Sequence, residues 1–276
     1  RYYLYNWKPS FYYPVPVQWI PNNYVTKYNA NSFETENKDI LNVYSAALYG
    51  YYQSLPVAVS ANAKSAEIYF ESFDDPSVAA FYPTPTAGTL VSTTFSHTGK
   101  SSLALTGAAF YEIPLVLQSN TAYILGAWVG KPGGQSSQIT YSFGSSNPGL
   151  TLTFFDQNNA QVGAATSKFS PNGKLINDWQ RIEASFTTPV PAAGKFITKV
   201  RITFDLGSTD PYYITNVDDV RIFPAAGNIQ THVYDPVTYR RAATLDDNNY
   251  ATIYSYDESG YLFLVKRETY NGIKTI

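Results

Sequence analysis

The sequence predicts a mainly β protein whose centre is a two-layered sandwich of the jelly-roll kind. Three observations predict it. Between residues 67 and 224, short runs of β-branched and aromatic residues recur between clusters of Gly, Pro, Asn and Ser, and none shows helical periodicity. The clearest run alternates: Val200, Ile202, Phe204 and Leu206 fall on one side, Arg201, Thr203 and Asp205 on the other. That is a strand with one buried and one wet face. The chain of 276 residues is also 44% hydrophobic and 16% aromatic, with 25 Tyr, 17 Gly and 17 Pro, enough to fill a core and to punctuate many strands.

The sequence divides into residues 1–66, 67–224 and 225–276. The first segment opens on an arm in which aromatics alternate with Pro9, Pro14, Pro16 and Pro21. Proline has no amide donor and a fixed φ, so the arm suits neither an interior strand nor a helix. Its rings Trp7, Tyr12, Tyr13 and Trp19 form an interface strip, directed at a partner or at the protein's own sandwich. Val25–Tyr28 reads as a short strand. Glu36–Tyr44 reads as a short amphipathic helix, with Ile40, Leu41 and Tyr44 on one face, and Leu55–Ala66 as a second helix opened by Pro56.

In the central segment the expected strands are Thr89–Phe95, Ser102–Leu105, Ala122–Val129, Ile139–Phe143, Leu150–Phe155, Gln180–Phe186, Thr198–Asp205 and Val217–Phe223. The last segment reads as a β-meander. Asp246-Asp247-Asn248-Asn249 is a solvated turn between two strands, and Gly260 supplies the positive φ of a further hairpin.

Composition excludes more than it asserts. The 19 basic and 21 acidic side chains leave a net charge of −2, without the basic stripe of a nucleic-acid-binding domain. No apolar run approaches a membrane span. With no Cys there is no disulfide, thiolate metal site or cysteine nucleophile. The two histidines are His97, in a turn, and His232, in a linker. No serine sits in a nucleophile elbow and no spacing singles out a carboxylate pair, so the reading is of a non-catalytic protein. A first residue Arg1 and the absence of Met suggest a fragment or a processed product.

Several motifs carry a resemblance. Glu71-Ser-Phe-Asp-Asp75, Ser96-His-Thr-Gly-Lys-Ser-Ser-Leu103, Tyr123–Val129, Asp178-Trp-Gln-Arg181 and Val217-Asp-Asp-Val-Arg-Ile-Phe-Pro224 follow one another in the order of the galactose-binding-like jelly roll of many carbohydrate-binding modules. Tyr234-Asp235 and Tyr256-Asp257 resemble the YD repeats of Rhs-type proteins. Together with Tyr44–Gly50 and Leu55–Ala63, the combination is similar to the carboxyl-terminal part of large secreted or surface proteins of Bacteroidota. The resemblance implies export across the outer membrane by the type IX system and a location outside the cell.

The resemblance also implies a structural Ca²⁺, held by Asp74, by carbonyls of the Thr98–Lys100 turn and by Asp219. Oxygen ligands suit this hard cation. The alternative is that these aspartates cap turns or pair with Lys100 and Arg221. Asp218 is expected to point away from Asp219. For a glycan, Trp179 and Tyr141 are the candidate rings, beside Phe143, Phe154 and Phe155, whereas Trp128 reads as core. Two functions follow. One is a structural module docking to partner chains, cell-surface proteins or the rest of its own polypeptide. The other is a carbohydrate-binding module.

Overall fold

The structure is a computed structural model and describes residues 22–77, 89–105, 107, 109–130, 148–205 and 215–276. In chain order the first strands are β1 (Asn23–Tyr28), β2 (Glu34–Asp39), β3 (Tyr44–Gly50) and β4 (Leu55–Ala61). After a 3-10 turn at Ser65–Glu67 come β5 (Tyr69–Glu71), β6 (Thr89–Ser92), β7 (Ser102–Leu105), β8 (Ala109–Ile113) and β9 (Ala122–Gly130). Then follow β10 (Gly149–Asp156), β11 (Gln161–Val162), β12 (Leu175–Ile176), β13 (Trp179–Thr187), β14 (Ile197–Asp205) and β15 (Thr215–Pro224). The chain closes with β16 (Asn228–Tyr234), β17 (Arg241–Leu245), β18 (Ala251–Tyr256), β19 (Leu262–Thr269) and β20 (Gly272–Thr275).

These strands make three layers. A four-stranded sheet, β11-β10-β14-β8, faces a seven-stranded sheet, β12-β13-β9-β15-β7-β6, with β5 also paired to β15. Between them lies the main core, which includes Leu125, Ala127, Leu150, Leu152, Phe154, Val200, Ile202, Phe204, Val220 and Ile222. This is the predicted sandwich, a jelly roll, and the alternation of Val200, Ile202 and Phe204 is its inward face. The expected strand at Ile139–Phe143, Leu206 and the aromatic arm with Trp7, Tyr12, Tyr13 and Trp19 lie outside the described residues.

The third layer is a nine-stranded sheet, β1-β2-β3-β4-β16-β17-β18-β19-β20, built from both ends of the chain. Its two halves join where β4 pairs with β16, from Ala58↔Thr231 to Ala61↔Asn228. It covers the outer face of the seven-stranded sheet. Ala58, Ile229, Val233, Ala243 and Leu245 pack there against Phe70, Phe223 and Ile124. The seven-stranded sheet is therefore a middle layer, and all ten residues of β15 are buried. A strand covered on both faces loses its polar alternation.

Both expected helices are corrected. Glu36–Tyr44 is the β2–β3 hairpin, with Ile40 and Leu41 at its exposed tip beside Asn42 at φ 61°. Spacing of i, i+1, i+4 suited a helix face, but these residues meet no core. Leu55–Ala61 is β4, where small residues hide a period of two: Ala58 and Ser60 are buried, Val59 and Ala61 exposed. Pro56 sits opposite Tyr49 at a register shift, the irregular kind of strand position that tolerates a missing N–H. His232, expected in a linker, is inside β16.

Candidate functional site

The middle layer sets the chemistry, because its two faces do different work. On the face turned to the nine-stranded sheet, β9 presents Trp128 and β13 presents Trp179, which cluster with Phe95, Tyr250, Ile176 and Ile273. Trp128 is buried as expected, but in this seam and not in the sandwich core; its Nε1–H donates to the Asn249 carbonyl at 2.8 Å. Trp179 is 3% exposed and stacks on Phe95 with centroids 4.7 Å apart. A sugar needs a bare ring face, so Trp179 is corrected from a glycan contact to a seam residue. Tyr141 lies outside the described residues.

The turn Asp246–Asn249 is solvated at Asp247 and Asn248, as read, but Asn249 is buried and the turn's carbonyls latch this seam. Arg221 donates Nη1–H to the Asp246 carbonyl at 2.7 Å and Nη2–H to that of Asp247. Arg181 donates to the Asn248 carbonyl. Arg221 is 1% exposed, and burial lowers its pKa to about 10, so it stays charged at neutral pH. Gly126 makes room for it: a Cβ there would come within 3.1 Å of Arg221 Cγ and Nε.

Asp218 and Asp219 face the same seam. A bulge in β15 opposite β9, with Asp219 at φ 49°, brings both carboxylates to one side. The expectation that they point apart is corrected by this extra residue. Asp218 Oδ2 accepts the N–H of His97 at 2.8 Å. Asp219 accepts Thr98 Oγ1–H at 2.8 Å and pairs with His97 Nδ1 at 2.7 Å, while His97 Nε2 reaches Glu268 of β19 at 3.1 Å. Burial alone would lower the His97 pKa, but hydrogen bonds to Asp219 and Glu268 outweigh it and raise it to about 9. His97 is thus an imidazolium between two buried carboxylates, stacked on Trp128 at 4.1 Å.

Calcium can be tested residue by residue. Asp74 Oδ2 is buried without a hydrogen-bond partner, and a Cβ on Gly99 would fall 2.1 Å from it. Burial, opposed by the amides of Lys100 and Ser101, raises the Asp74 pKa to about 8. Such an oxygen suits a hard cation or a proton. Asp219 is less free, because Thr98 Oγ1–H and His97 Nδ1 already engage its carboxylate, and a cation there would compete with them. Lys100 Nζ turns away to pair with Asp235, not with the aspartates of the sandwich. Among the described residues no three His, Asp or Glu side chains converge on a metal position.

The remaining face, on the outside of the four-stranded sheet, is partly exposed: Phe110 and Glu112 are exposed, Lys199 and Arg201 half-buried, and Phe155 buried beneath them. Phe110 of β8 is 43% exposed. The Arg201 guanidinium of β14 lies between its ring, at 4.3 Å, and that of Phe155 of β10, at 5.0 Å. Glu112 fixes the arginine by accepting Nε–H at 3.0 Å and Nη2–H at 2.6 Å, and it also accepts from Lys199 at 2.7 Å. These hydrogen bonds, Lys199 first, hold the Glu112 pKa below the usual carboxylate range. Lys199 in turn lies 4.8 Å over Phe155. Thr151, Thr153 and Thr203 continue the face. Sequence reasoning placed Arg201 and Thr203 on a wet face but missed Phe110 and Glu112. Their signal was the alternation of Ala109–Ile113, buried at every other residue.

No protein-family profile and no curated protein matches the chain. Among solved structures it is similar to the CBM22-1 xylan-binding domain of Paenibacillus barcinonensis Xyn10C, at 16% identity and TM-score 0.37, over 56% of this chain and 92% of that one. It is also similar to the C-terminal CBM6 of LamC from Zobellia galactanivorans, at 10% identity and TM-score 0.30, over 56% of this chain and 98% of that one. A third is TmCBM61 in complex with β-1,4-galactotriose, at 11% identity and TM-score 0.27, over 57% and 88%. The likeness is one of fold, and the sheet faces of this chain itself carry the functional reading. Among the described residues no helix is long and apolar enough to cross a membrane.

Proposed function

We propose that this chain is a non-catalytic glycan-binding module that takes its ligand on the outer face of the four-stranded sheet. The observation that carries the reading is the stack in which Arg201, held by Glu112, lies between the exposed Phe110 ring and the buried Phe155 ring on the outer sheet face. A sugar offers apolar C–H faces and a rim of hydroxyls. The Phe110 ring suits the first, and the planar guanidinium and carboxylate suit the second. Residues mounted on strands hold such a constellation more firmly than loops would.

The other reading is docking to partner chains or to the rest of a longer polypeptide, and the seam that the nine-stranded sheet forms with the sandwich is an interface of that kind within the chain. The jelly-roll resemblance and the Tyr-Asp pairs support a place in a larger exported surface protein of Bacteroidota, and protease shaving of intact cells tests that placement. Calcium enters the proposal at Asp74 with carbonyls of the 98–100 turn, where it would neutralise a buried carboxylate. A melting temperature unmoved by EDTA would remove it.

Binding is tested by calorimetry with xylohexaose and β-1,4-galactotriose. The reading expects binding that Phe110→Ala or Arg201→Ala weakens at least about tenfold, or 1.4 kcal/mol. Binding indifferent to both substitutions would overturn it.

A further inference from the structure

A cleft of about 520 Å³ opens where β17 and β18 part, and the Gly99–Lys100 turn of the sandwich closes one side. The ladder between these strands covers only Ala243–Leu245 with Ala251–Ile253, whereas β18 stays paired to β19 as far as Tyr256. Tyr254, Ser255 and Tyr256 therefore run beyond the end of the β17 ladder and line the opening.

The walls are fixed before any ligand arrives. On one side Lys100 pairs with Asp235, whose Oδ1 accepts the N–H groups of Val237 and Thr238 at 2.9 and 2.8 Å. On the other, the Arg240 guanidinium lies over the backbone of Gly260, where a Cβ would fall 1.8 Å from Nη2, and 5.8 Å from the centre of the Tyr256 ring. Gly260, at φ 86°, is thus required twice, by the turn and by the arginine above it. Tyr256 is held in turn by its hydroxyl, which donates to the Arg241 carbonyl at 3.0 Å.

The lining mixes both signs of charge: Lys100 and Arg240 against Asp235, Asp257 and Glu258. An anion would meet three carboxylates and a cation would meet two fixed positive groups. Tyrosine rings, a guanidinium, carboxylates and hydroxyls side by side suit a neutral ring rich in hydroxyls. The volume falls within the roughly 300–1,000 Å³ of small-ligand sites.

We propose that this cleft binds a short uncharged oligosaccharide, at a site separate from the outer face of the four-stranded sheet. It is built from β17, β18 and the 99–100 turn and does not rest on the sheet-face reading. Because its walls belong to both the sandwich and the nine-stranded sheet, a bound ligand bridges the seam and stabilises it by mass action.

The test is a titration of the full chain with cellohexaose, xylohexaose and mannohexaose, followed by amide chemical shifts, calorimetry and thermal melting. The expected result is that at least one sugar shifts the amides of Tyr254, Ser255, Tyr256 and Asp257 and raises the melting temperature. Arg240→Ala, with Arg240→Gln as the milder variant, should weaken the binding read at these four amides at least about tenfold, whereas in Arg201→Ala the shifts of these four amides should persist even if total heat falls. If those amides stay still with all three sugars, or respond in both Arg240 variants as strongly as in the parent chain, the cleft is not the site. Binding lost in Arg201→Ala but kept in the Arg240 variants would overturn the cleft and leave the sheet face standing. The reverse pattern would remove the sheet face and keep the cleft.

Discussion

The two sheets of the sandwich share one core and differ in what lies on their other sides. Behind the seven-stranded sheet, Trp128, Trp179, Asp218, Asp219, Arg221 and the side chain of His97 are buried against a third layer. Outside the four-stranded sheet, Phe110, Glu112, Lys199 and Arg201 make contacts of similar chemistry in reach of water. Each face pairs cations with carboxylates and rings. Burial makes one arrangement structural, because a desolvated charge that loses its partner is costly. Exposure leaves the other inexpensive to alter and free to bind.

Substitutions can break or sharpen that contrast. His97→Leu is expected to have the largest effect, leaving Asp219 and Glu268 buried without their shared cation; about 3–5 kcal/mol of stability should go, read by urea denaturation. A loss below about 1 kcal/mol would mean the seam does not depend on this charge. Arg221→Ala comes next, at about 2–4 kcal/mol, since it strands the carbonyls of Asp246 and Asp247 in the latch. Arg201→Ala, on the outer face, should cost less than about 1 kcal/mol while weakening glycan binding. A large stability loss there would erase the distinction between the two faces.

The smallest effect concerns pH. Burial first, then the charge of Arg241, lowers the His232 pKa from 6.5 to about 4. A group lowered on folding contributes stability that is fully present above its unfolded value, here about 6.5, and is lost as pH falls through about 4. Glu36, which hydrogen bonds from Lys27, Ser65 and Thr26 hold at about 2 despite burial, acts only at lower pH. Melting temperature followed from pH 7 to 4 should therefore fall less in His232→Gln than in the parent chain. Equal slopes would place the sensitivity elsewhere.

Much of the fold was legible, for identifiable reasons. Strands with large side chains on one face, such as Val200-Arg-Ile-Thr-Phe204, announce themselves by alternation. β4 did not, because Ala58 and Ser60 are too small to stand out beside Val57 and Val59. β8 was overlooked because it begins inside the uncharged stretch Leu103–Phe110 and only Glu112 marks its polar face, although its period of two is plain once seen. Of the candidate site residues, Asp74 keeps an unsatisfied buried oxygen at the turn where it was expected. Asp219 belongs to His97, and Trp179 to the seam.

Local order of apolar and polar residues is written along a strand, so the sequence alone determined where most strands run and which side chains of the sandwich point inward. It could not determine which outer face would be covered. That depends on partners far along the chain: Trp128 on Asn249, 121 residues away, and His97 on Glu268, 171 away. A tryptophan on a strand has the same sequence signature whether water, a sugar or a third sheet lies above it. Only the packing of β16–β20 onto the middle layer decided that the tryptophans would be buried, while Phe110 on the opposite sheet stays exposed.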